Sequence, residues 1–254
     1  MARMWMMAAA AAVAVSGLAG SVSAAWAAPP PNIVAAMADK ARPADEVARD
    51  AARKPGELLE FAGVKTGDKV VDLIMGGGYF TRLLSVAVGP KGQVIAYQPS
   101  EFIQFQAKYG EDQKKVAGAY PNITALTSSL GALDLPDGVD LVLTVQNYHD
   151  LHLTPFPKDT ASKVNAEVFK SLKPGGVYVI VDHVGAPGSG LEAAMKVHRI
   201  EPSIVKQEVE AAGFKLEAES PMLKLASDPH TANVFDPAIR GKTDQFVMKF
   251  RKPK

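Results

Sequence analysis

Six residues with the sequence NYHDLH, at positions 147–152, follow a strongly apolar segment. Among them, His149 has the side chain best suited to remove a proton, because a neutral imidazole is available near pH 7. Asn147 carries an amide that can orient a polar substrate, and Tyr148 can form a pocket wall. These residue types predict His149 as a catalytic base and Asn147 as a substrate-orienting residue. The alternative is a structural loop in which His149 is hydrogen-bonded and Asp150 caps a helix.

The same run raises the question of a metal site, since His149, Asp150 and His152 carry potential ligands and His183 ends a later apolar segment. Their spacing matches no ligand pattern of a zinc site, and an adjacent histidine and aspartate rarely bind one ion together. The chain has no cysteine, which excludes thiolate ligands, a cysteine nucleophile, a disulfide scaffold and a lipid-bearing N-terminal cysteine. No metal site is therefore predicted.

A second group of unusual residues is the segment VVDLIMGGGYF at positions 70–80, in which three glycines end an apolar run. Glycine lets backbone approach a ligand closely, and in open α/β sheets ligands bind beyond the carboxyl ends of the strands. Two nucleotide-binding patterns fail here. A dinucleotide fingerprint needs glycine or alanine where Thr81 stands, and a P-loop needs lysine and a hydroxyl residue after its last glycine. The segment predicts another kind of ligand-binding turn or, alternatively, a plain tight turn.

The elements that must position these two segments alternate along the chain. Short apolar runs predict buried strands at residues 69–74, 93–97, 123–126, 139–145 and 177–184. Apolar residues at helical spacing predict helices at residues 45–63, 79–88, 102–115 (with a break near Gly110), 160–172 and 202–212. The last two runs, at residues 214–219 and 245–250, alternate apolar and polar residues, which is typical of an antiparallel pair. We expect an α/β protein with a doubly wound, mostly parallel sheet and an antiparallel C-terminal strand pair.

Length and charge support one domain and a small-molecule partner. The chain has 254 residues, of which 47% are hydrophobic, and 28 basic side chains nearly balance 27 acidic ones. It contains no internal repeat and no long linker, so we predict a single domain at residues 28–254, with an N-terminal helical cap at about 40–63 and a core at about 64–254. Without a basic or acidic run, neither nucleic acid nor an anionic membrane is expected as a partner. The oligomeric state stays open.

Residues 1–27 are predicted to form a cleaved signal peptide. Arg3 is the only charged residue before Asp39, the stretch from Met4 to Val15 is apolar, and small residues that suit cleavage follow it. An uncleaved anchor is the alternative, but the apolar run is shorter than the about 20 residues that cross a bilayer. We expect the mature protein to be periplasmic or secreted, with no stable membrane insertion after cleavage.

Several segments, in order along the chain, resemble the motifs of class I S-adenosylmethionine-dependent methyltransferases. They are VVDLIMGGGYFTRLL at 70–84, LDLPDGVDLV at 133–142, LKPGG at 172–176 and AAGF at 211–214. A narrower resemblance, to exported bacterial proteins described as predicted methyltransferases, rests on GGGYFT at 76–81, QNYHDLH at 146–152 and VFDPAIRGKTDQFVMKFRKP at 234–253. The resemblance implies a Rossmann-like class I methyltransferase fold and S-adenosylmethionine as the cofactor.

The resemblance also implies which residues meet that cofactor. The implied cofactor-binding residues are Asp72, Met75, Gly76, Gly77, Gly78, Tyr79, Gln98 and Asp134. The chain departs from the family pattern at Ile74, where the family has glycine, and at Gln98, where it has an acid that binds the ribose hydroxyls. A neutral amide can accept from one hydroxyl and donate to another, without the charge-assisted bond. Gly131 stands where an acid often meets the adenine, and Asp134 is the candidate replacement.

The function that these observations favour is methyl transfer from S-adenosylmethionine to a small-molecule acceptor. Such a transfer is an in-line displacement that needs alignment and exclusion of water more than acid–base help. Export would separate the enzyme from a cofactor made in the cytoplasm. The alternative is therefore a non-catalytic periplasmic binding module that keeps the methyltransferase fold without the chemistry. An open cleft at the glycine turn favours the enzyme, and a filled cleft favours the module.

Overall fold

The structure, a computed structural model, describes residues 28–254, so the predicted signal peptide lies outside the described residues. Within them, seven strands form one sheet in the order β3-β2-β1-β4-β5-β7-β6. The strands are β1 (Lys69–Leu73), β2 (Gln93–Tyr97), β3 (Ile123–Leu126), β4 (Val139–Val145), β5 (Leu172–His183), β6 (Lys215–Ser220) and β7 (Gln245–Arg251). β7 lies between β5 and β6 and runs antiparallel to both, while the other neighbours pair in parallel. The predicted mostly parallel sheet with an antiparallel C-terminal pair is confirmed.

The described chain has ten α-helices, of which the first four precede β1 and the others lie between strands. They are α1 (Pro31–Met37), α2 (Ala44–Val47), α3 (Asp50–Arg53), α4 (Pro55–Ala62), α5 (Tyr79–Val88), α6 (Ser100–Phe105), α7 (Lys108–Ala119), α8 (Thr160–Ser171), α9 (Glu192–Val197) and α10 (Pro202–Ala211). Two short 3₁₀ turns, Leu130–Ala132 and His149–His152, complete the list. None of these helices combines the length and apolar composition that crossing a membrane requires.

The central strands are apolar because both faces of the sheet are covered. Four of the five β1 residues are buried, and β1 pairs with β2 on one side and β4 on the other. On one face, Leu83 of α5 and Val116 of α7 belong to the buried core, and on the other face Val164 of α8 and Val205 of α10 do. The strand order reverses direction between β1 and β4, which is where ligands bind in such sheets.

The N-terminal helical cap is more extensive and more broken than the sequence predicts. It begins with α1 at Pro31, not near residue 40, because proline is compatible with a first helical turn and Ile33 supplies a buried anchor. The side chain of Asn32 fixes α1 to the core by donating to the carbonyls of Val64 and Ala87, at 3.1 Å each. The predicted helix at 45–63 is three short helices, and the break in the helix predicted at 102–115 falls between α6 and α7, not at Gly110.

Candidate functional site

A cavity of about 180 Å³ lies at the carboxyl ends of β1 and β4. Three parts of the chain line it: the turn after β1, the end of β4 and the N-terminal helical cap. The lining residues are Glu46, Arg49, Arg53, Asp72, Ile74, Met75, Gly76, Gly77, Tyr79, Phe80, Val145, Gln146 and Asn147. The structure therefore brings together most of the sequence-predicted cofactor residues with Asn147, at the place where this sheet topology binds ligands.

The three glycines of the turn have different roles. Gly76 and Gly77 line the cavity, and a Cβ on Gly77 would have Asp112 Oδ2, 3.9 Å away, as its nearest neighbour. Gly78 does not line it: its φ is +85°, and a Cβ there would lie 2.7 Å from Val116 Cγ2 on α7. This glycine allows the turn to lie close to α7. The prediction that Gly78 meets the cofactor stays a prediction.

Two non-glycine residues of the cavity wall have left-handed backbone conformations. Ile74 has φ +64° and Gln146 has φ +65°, and both line the cavity. Such angles are uncommon, above all for a β-branched residue, and backbone strain of this kind concentrates at functional sites. Ile74 also stands where the resembled family has glycine. The turn keeps the backbone conformation that glycine would adopt easily, although the side chain has changed.

Asp72 is a buried acid at the wall of this cavity. Its side chain accepts a hydrogen bond of 2.6 Å from the Thr81 hydroxyl, and the residue is 4% exposed. Burial raises the pKa of Asp72 to about 6, against the opposing effects of the Thr81 hydrogen bond and the nearby Arg53 guanidinium. At neutral pH the site therefore contains a desolvated carboxylate that can accept from a cationic or hydroxyl-bearing ligand.

The helical cap contributes positive charge above the turn. Arg53 lines the cavity, with its guanidinium 4.4 Å from the ring centroid of Tyr79. The Tyr79 hydroxyl donates to Asp50 at 2.5 Å, and Asp50 in turn pairs with Arg42. Tyr79, predicted from sequence to touch the cofactor, thus lines the cavity and also ties the cap to α5. Glu46 of the cap pairs with Arg82 of α5 at 2.6 Å, which strengthens the same junction.

Gln98 lies behind the turn, not in the cavity wall. It is fully buried, its Oε1 accepts from the Gly76 amide at 3.0 Å, and its Nε2 has no hydrogen-bond partner among residues 28–254. Buried donors in native proteins usually have a hydrogen-bond partner. The amide therefore holds the glycine turn in place and still has one donor to offer.

Asp134 is not part of this site. Its side chain is 88% exposed and lies 3.5 Å from Lys170 of α8, and it does not line the cavity. The structure gives the predicted contact of Asp134 with the adenine no support, and that contact stays a prediction. Its neighbours Leu133 and Leu135 are buried, so the alternation of the segment turns Asp134 outward.

His149 is buried between two carboxylates. Its Nδ1 lies 2.9 Å from Asp182 Oδ1, and its Nε2 lies 3.2 Å from Asp150 Oδ1. Burial lowers the pKa of His149, but the charge of Asp182, its hydrogen bond and the charge of Asp150 together outweigh this and raise it to about 9. The imidazole is therefore protonated at neutral pH and has no free lone pair. This charged form does not favour the predicted role of His149 as a base near pH 7, and that role stays a prediction.

Asn147 connects the cavity to this buried histidine. It lines the cavity, and its Nδ2 donates to Asp150 Oδ2 at 3.2 Å. The other aromatic and histidine residues of the run face elsewhere: the Tyr148 hydroxyl and His152 Nε2 both contact Glu208 of α10, at 2.9 and 3.2 Å. Tyr148 is thus a core residue and not a pocket wall.

Sequence reasoning missed Asp182 as the partner of His149 and Gln146 as a wall residue. Asp182 accepts from the backbone amide of His149 at 2.8 Å as well as from its ring. One signal is present in the sequence, since the penultimate residue of β5 is an acid and the carboxyl ends of adjacent parallel strands meet at one edge of the sheet. The left-handed backbone of Gln146 left no trace in the sequence.

Comparison with known proteins adds a family to this geometry. The sequence pattern of the ubiE/COQ5 methyltransferase family matches residues 52–201. A ubiquinone/menaquinone biosynthesis C-methyltransferase from Pasteurella multocida is 30% identical over 128 residues, covering 49% of this chain and 43% of that protein. The corresponding enzyme of Photorhabdus laumondii is 28% identical over 166 residues, covering 64% of this chain and 62% of that protein. The chain spans about half the length of these relatives.

Solved structures confirm the fold. The crystal structure of an S-adenosylmethionine-dependent methyltransferase from Aquifex aeolicus superposes with a TM-score of 0.54 at 21% identity. The match covers 80% of this chain and 97% of that one. The implied class I methyltransferase fold is thus confirmed.

Proposed function

Because the chain belongs to the ubiE/COQ5 methyltransferase family, we propose that it binds S-adenosylmethionine beside the glycine turn and transfers its methyl group to a small-molecule acceptor. The observation that carries this proposal is the cavity at the carboxyl ends of β1 and β4. Its wall combines two glycines whose backbone is open to a ligand, a desolvated carboxylate and a guanidinium.

The residues of the cavity fit the amino-acid half of this cofactor. Asp72 would accept from the ammonium group, and Arg53 would pair with the carboxylate. Gly76 and Gly77 allow the backbone to approach without a side chain. The free Nε2 of Gln98 is a donor that suits a ribose hydroxyl.

The nucleoside half needs more room than the cavity gives. Its volume of about 180 Å³ lies below the roughly 300–1,000 Å³ of sites that hold drug-sized ligands. Gln98 is fully buried, so the side chains around it must move before a ribose can reach its amide. We therefore expect binding to widen the site on the side of β2.

The sulfonium cofactor, when bound, supplies an activated methyl group. The chain's own residues position and enclose the reaction: the helical cap covers the cavity and excludes water, and Asn147 can orient a polar acceptor at the end of β4. The charged His149 serves to hold the loop after β4 and not to remove a proton. The acceptor must therefore be nucleophilic by itself or be activated by another group.

The experiment is transfer of a tritiated methyl group from S-adenosylmethionine to a small-molecule extract of the source cells. We expect label in the low-molecular-mass fraction with the native chain, and a loss of at least about 10-fold with Asp72→Asn, which removes a charge-assisted contact. If the chain binds the cofactor but transfers no label to this fraction, the proposal that the methyl acceptor is a small molecule is contradicted.

A non-catalytic binding module is the second candidate, favoured by one observation. The side-chain oxygen of Gln98 already accepts from the Gly76 amide, and Gln98 is fully buried. Both features are expected of a cleft that the protein's own side chains fill. This candidate predicts no binding of S-adenosylhomocysteine at millimolar concentration and no thermal stabilisation by it.

We also propose that residues 1–27 direct export to the periplasm or beyond, which the apolar run from Met4 to Val15 supports. Cell fractionation with antibody detection tests this. A shortened chain in the periplasmic fraction is expected, and an uncleaved chain in the cytoplasm would contradict it. Replacing two residues of the apolar run with aspartate should retain the protein in the cytoplasm.

A further inference from the structure

Three potential metal ligands converge beyond the end of β4. One ligand atom each from His149, Asp150 and His198 lies within 4.8 Å of the other two. His149 Nε2 and Asp150 Oδ1 are 3.2 Å apart. Two ligand atoms at about 2.1 Å from a tetrahedral ion lie about 3.4 Å from each other, so this pair already has the required separation. The His198 ligand atom, within 4.8 Å of both, would move inward to complete such a site.

Two of these side chains are already oriented by outer hydrogen bonds. Asp182 binds the Nδ1 side of the His149 ring at 2.9 Å, which leaves Nε2 facing Asp150. The Asn147 amide donates to Asp150 Oδ2 at 3.2 Å, which leaves Oδ1 facing the histidine. A carboxylate behind a ligating histidine is the usual outer partner in metal sites, where it fixes the ring and raises its basicity.

His198 is held against His149 by a strained backbone. It follows α9 with φ +54°, a left-handed conformation that is uncommon outside glycine. Its ring meets the His149 ring edge to face, with centroids 5.4 Å apart, and Phe235 packs on it at 4.8 Å. Strain at a residue that places an imidazole next to another imidazole and a carboxylate is typical of a functional cluster.

We propose that His149, Asp150 and His198 bind one divalent transition-metal ion, which displaces the proton of His149 Nε2 to solvent. Adjacent residues rarely bind one ion together, but here the 3₁₀ turn His149–His152 brings His149 Nε2 and Asp150 Oδ1 within 3.2 Å of each other. Two imidazoles and one carboxylate suit Zn²⁺ best and leave at least one coordination position for another ligand. The sequence run itself suggested His152 as the third ligand, but His152 contacts Glu208 instead, and His198 comes from 46 positions farther along the chain.

The site lies next to the proposed methyl-transfer cavity, because Asn147 lines the cavity and also binds Asp150. An open coordination position there would bind a hydroxyl or enol oxygen of the acceptor and favour its ionised form, with the proton passing to solvent. This assignment of acceptor class rests on the proposed function; metal binding itself does not.

The test uses the purified chain without a histidine tag, treated with a chelator and titrated calorimetrically with Zn²⁺. Visible absorption of bound Co²⁺ reports the ligand geometry in parallel. We expect one ion per chain. His198→Asn, which tolerates the left-handed backbone, should weaken binding at least about 10–100-fold, the loss that removal of an outer partner alone causes. His230→Asn is the matched control, because His230 also has a left-handed backbone but contacts Asp244.

Equal affinity of the native chain and His198→Asn, or the absence of one-to-one binding, would overturn the metal site. Circular dichroism and thermal melting of both variants establish that they fold. A titration with S-adenosylhomocysteine on His198→Asn separates this proposal from the proposed function. If His198→Asn loses metal binding and keeps cofactor binding, the metal site is supported independently of the proposed function. If it keeps metal binding and loses cofactor binding, the metal site is refuted, while the methyltransferase proposal, which rests on the native chain, is not.

Discussion

The turn after β1 and the loop after β4 face each other across one cavity, but they are built differently. The turn presents backbone: Gly76 and Gly77 line the cavity, and Gln98 holds Gly76 from behind. The loop presents side chains whose positions depend on distant residues, since His149 is fixed by Asp182 from 33 positions away. A backbone site tolerates few changes at its own glycines, while a side-chain site fails when any member of its network is lost.

The two regions also contain buried titratable groups with raised pKa values for opposite reasons. The pKa of Asp72 is raised to about 6 by burial, so the folded state disfavours its charged form. The pKa of His149 is raised to about 9 because two carboxylates outweigh burial, so the folded state favours its charged form. Stability therefore falls with rising pH in two separate windows, about 4–6 for Asp72 and about 6.5–9 for His149.

The largest effect is expected on the β4 side, from Asp182→Ala. This change leaves the His149 charge buried beside Asp150 alone and removes acceptors from two backbone amides. Breaking such a buried pair costs about 3–5 kcal/mol of unfolding free energy. Urea denaturation at pH 7 measures it, with Asp182→Asn as the control that keeps the shape and an acceptor.

The pH profile distinguishes the charge from the hydrogen bonds. The contribution of the His149 charge is fully present below about pH 6.5 and is lost as pH rises through about 9. The native chain should lose stability over that window, and both Asp182 variants should lose less. A native profile that is flat between pH 6.5 and 9 would contradict the charged His149.

On the β1 side, the pair Gly78→Ala and Gly77→Ala separates packing from binding. A Cβ at Gly78 meets Val116 at 2.7 Å and a left-handed backbone, so we expect a loss of about 2–4 kcal/mol of stability. A Cβ at Gly77 has no neighbour closer than 3.9 Å, so stability should change by less than about 0.5 kcal/mol while binding of S-adenosylhomocysteine weakens. Equal stability losses in the two variants would contradict the assignment of a packing role to Gly78 and a binding role to Gly77.

Asp72→Asn tests the buried carboxylate. The folded-state pKa of Asp72 is about 2 units above its ordinary value, so its ionisation costs at most about 3 kcal/mol at neutral pH. We expect Asp72→Asn to stabilise the fold by about 1–3 kcal/mol at pH 7 and to weaken cofactor binding. The gain should shrink as pH falls below about 6 and vanish below about pH 3, where the carboxyl is protonated in both states. The stability difference between Asp72→Asn and the native chain is compared at the two pH values. If the variant gains less at pH 7 than at pH 4, a raised pKa of Asp72 is contradicted.

The smallest effect is expected from Gln98→Glu. A carboxylate keeps the acceptor that Gly76 uses and offers a second oxygen to a ribose hydroxyl. We expect S-adenosylhomocysteine to bind more tightly by about 1 kcal/mol, or roughly fivefold. Calorimetry measures this, and Gln98→Met is the control that removes both polar atoms. Weaker binding by the glutamate variant would place Gln98 away from the ribose.

The contrast between the regions also explains what the sequence could predict. The mostly parallel sheet, the antiparallel C-terminal pair and the turn beside the cavity could be predicted from local patterns of glycines and apolar residues. The strand order could not, because it depends on which strands pair across the sheet. The helix that starts at Pro31 is not predicted, since it begins at the last of three prolines and has only two buried residues, Ile33 and Ala36.

Long-range contacts decided the features that the sequence did not predict. The charge of His149 depends on Asp182, and the third residue of its cluster, His198, depends on a strained backbone after α9. Asp134 was a candidate for the adenine contact, but it alternates with two buried leucines, so its side chain faces solvent. No single-residue pattern records these relationships.

The central claim is that the cavity beside the glycine turn binds the methyl donor. Its most direct test is a calorimetric titration of the purified chain with S-adenosylhomocysteine, which occupies the same site without reacting. We expect one site per chain with micromolar affinity, weakened in Gly77→Ala and unchanged in His198→Asn. If millimolar ligand gives neither heat nor thermal stabilisation, the cavity does not bind this cofactor. The non-catalytic binding module would then replace the methyltransferase as the proposed function.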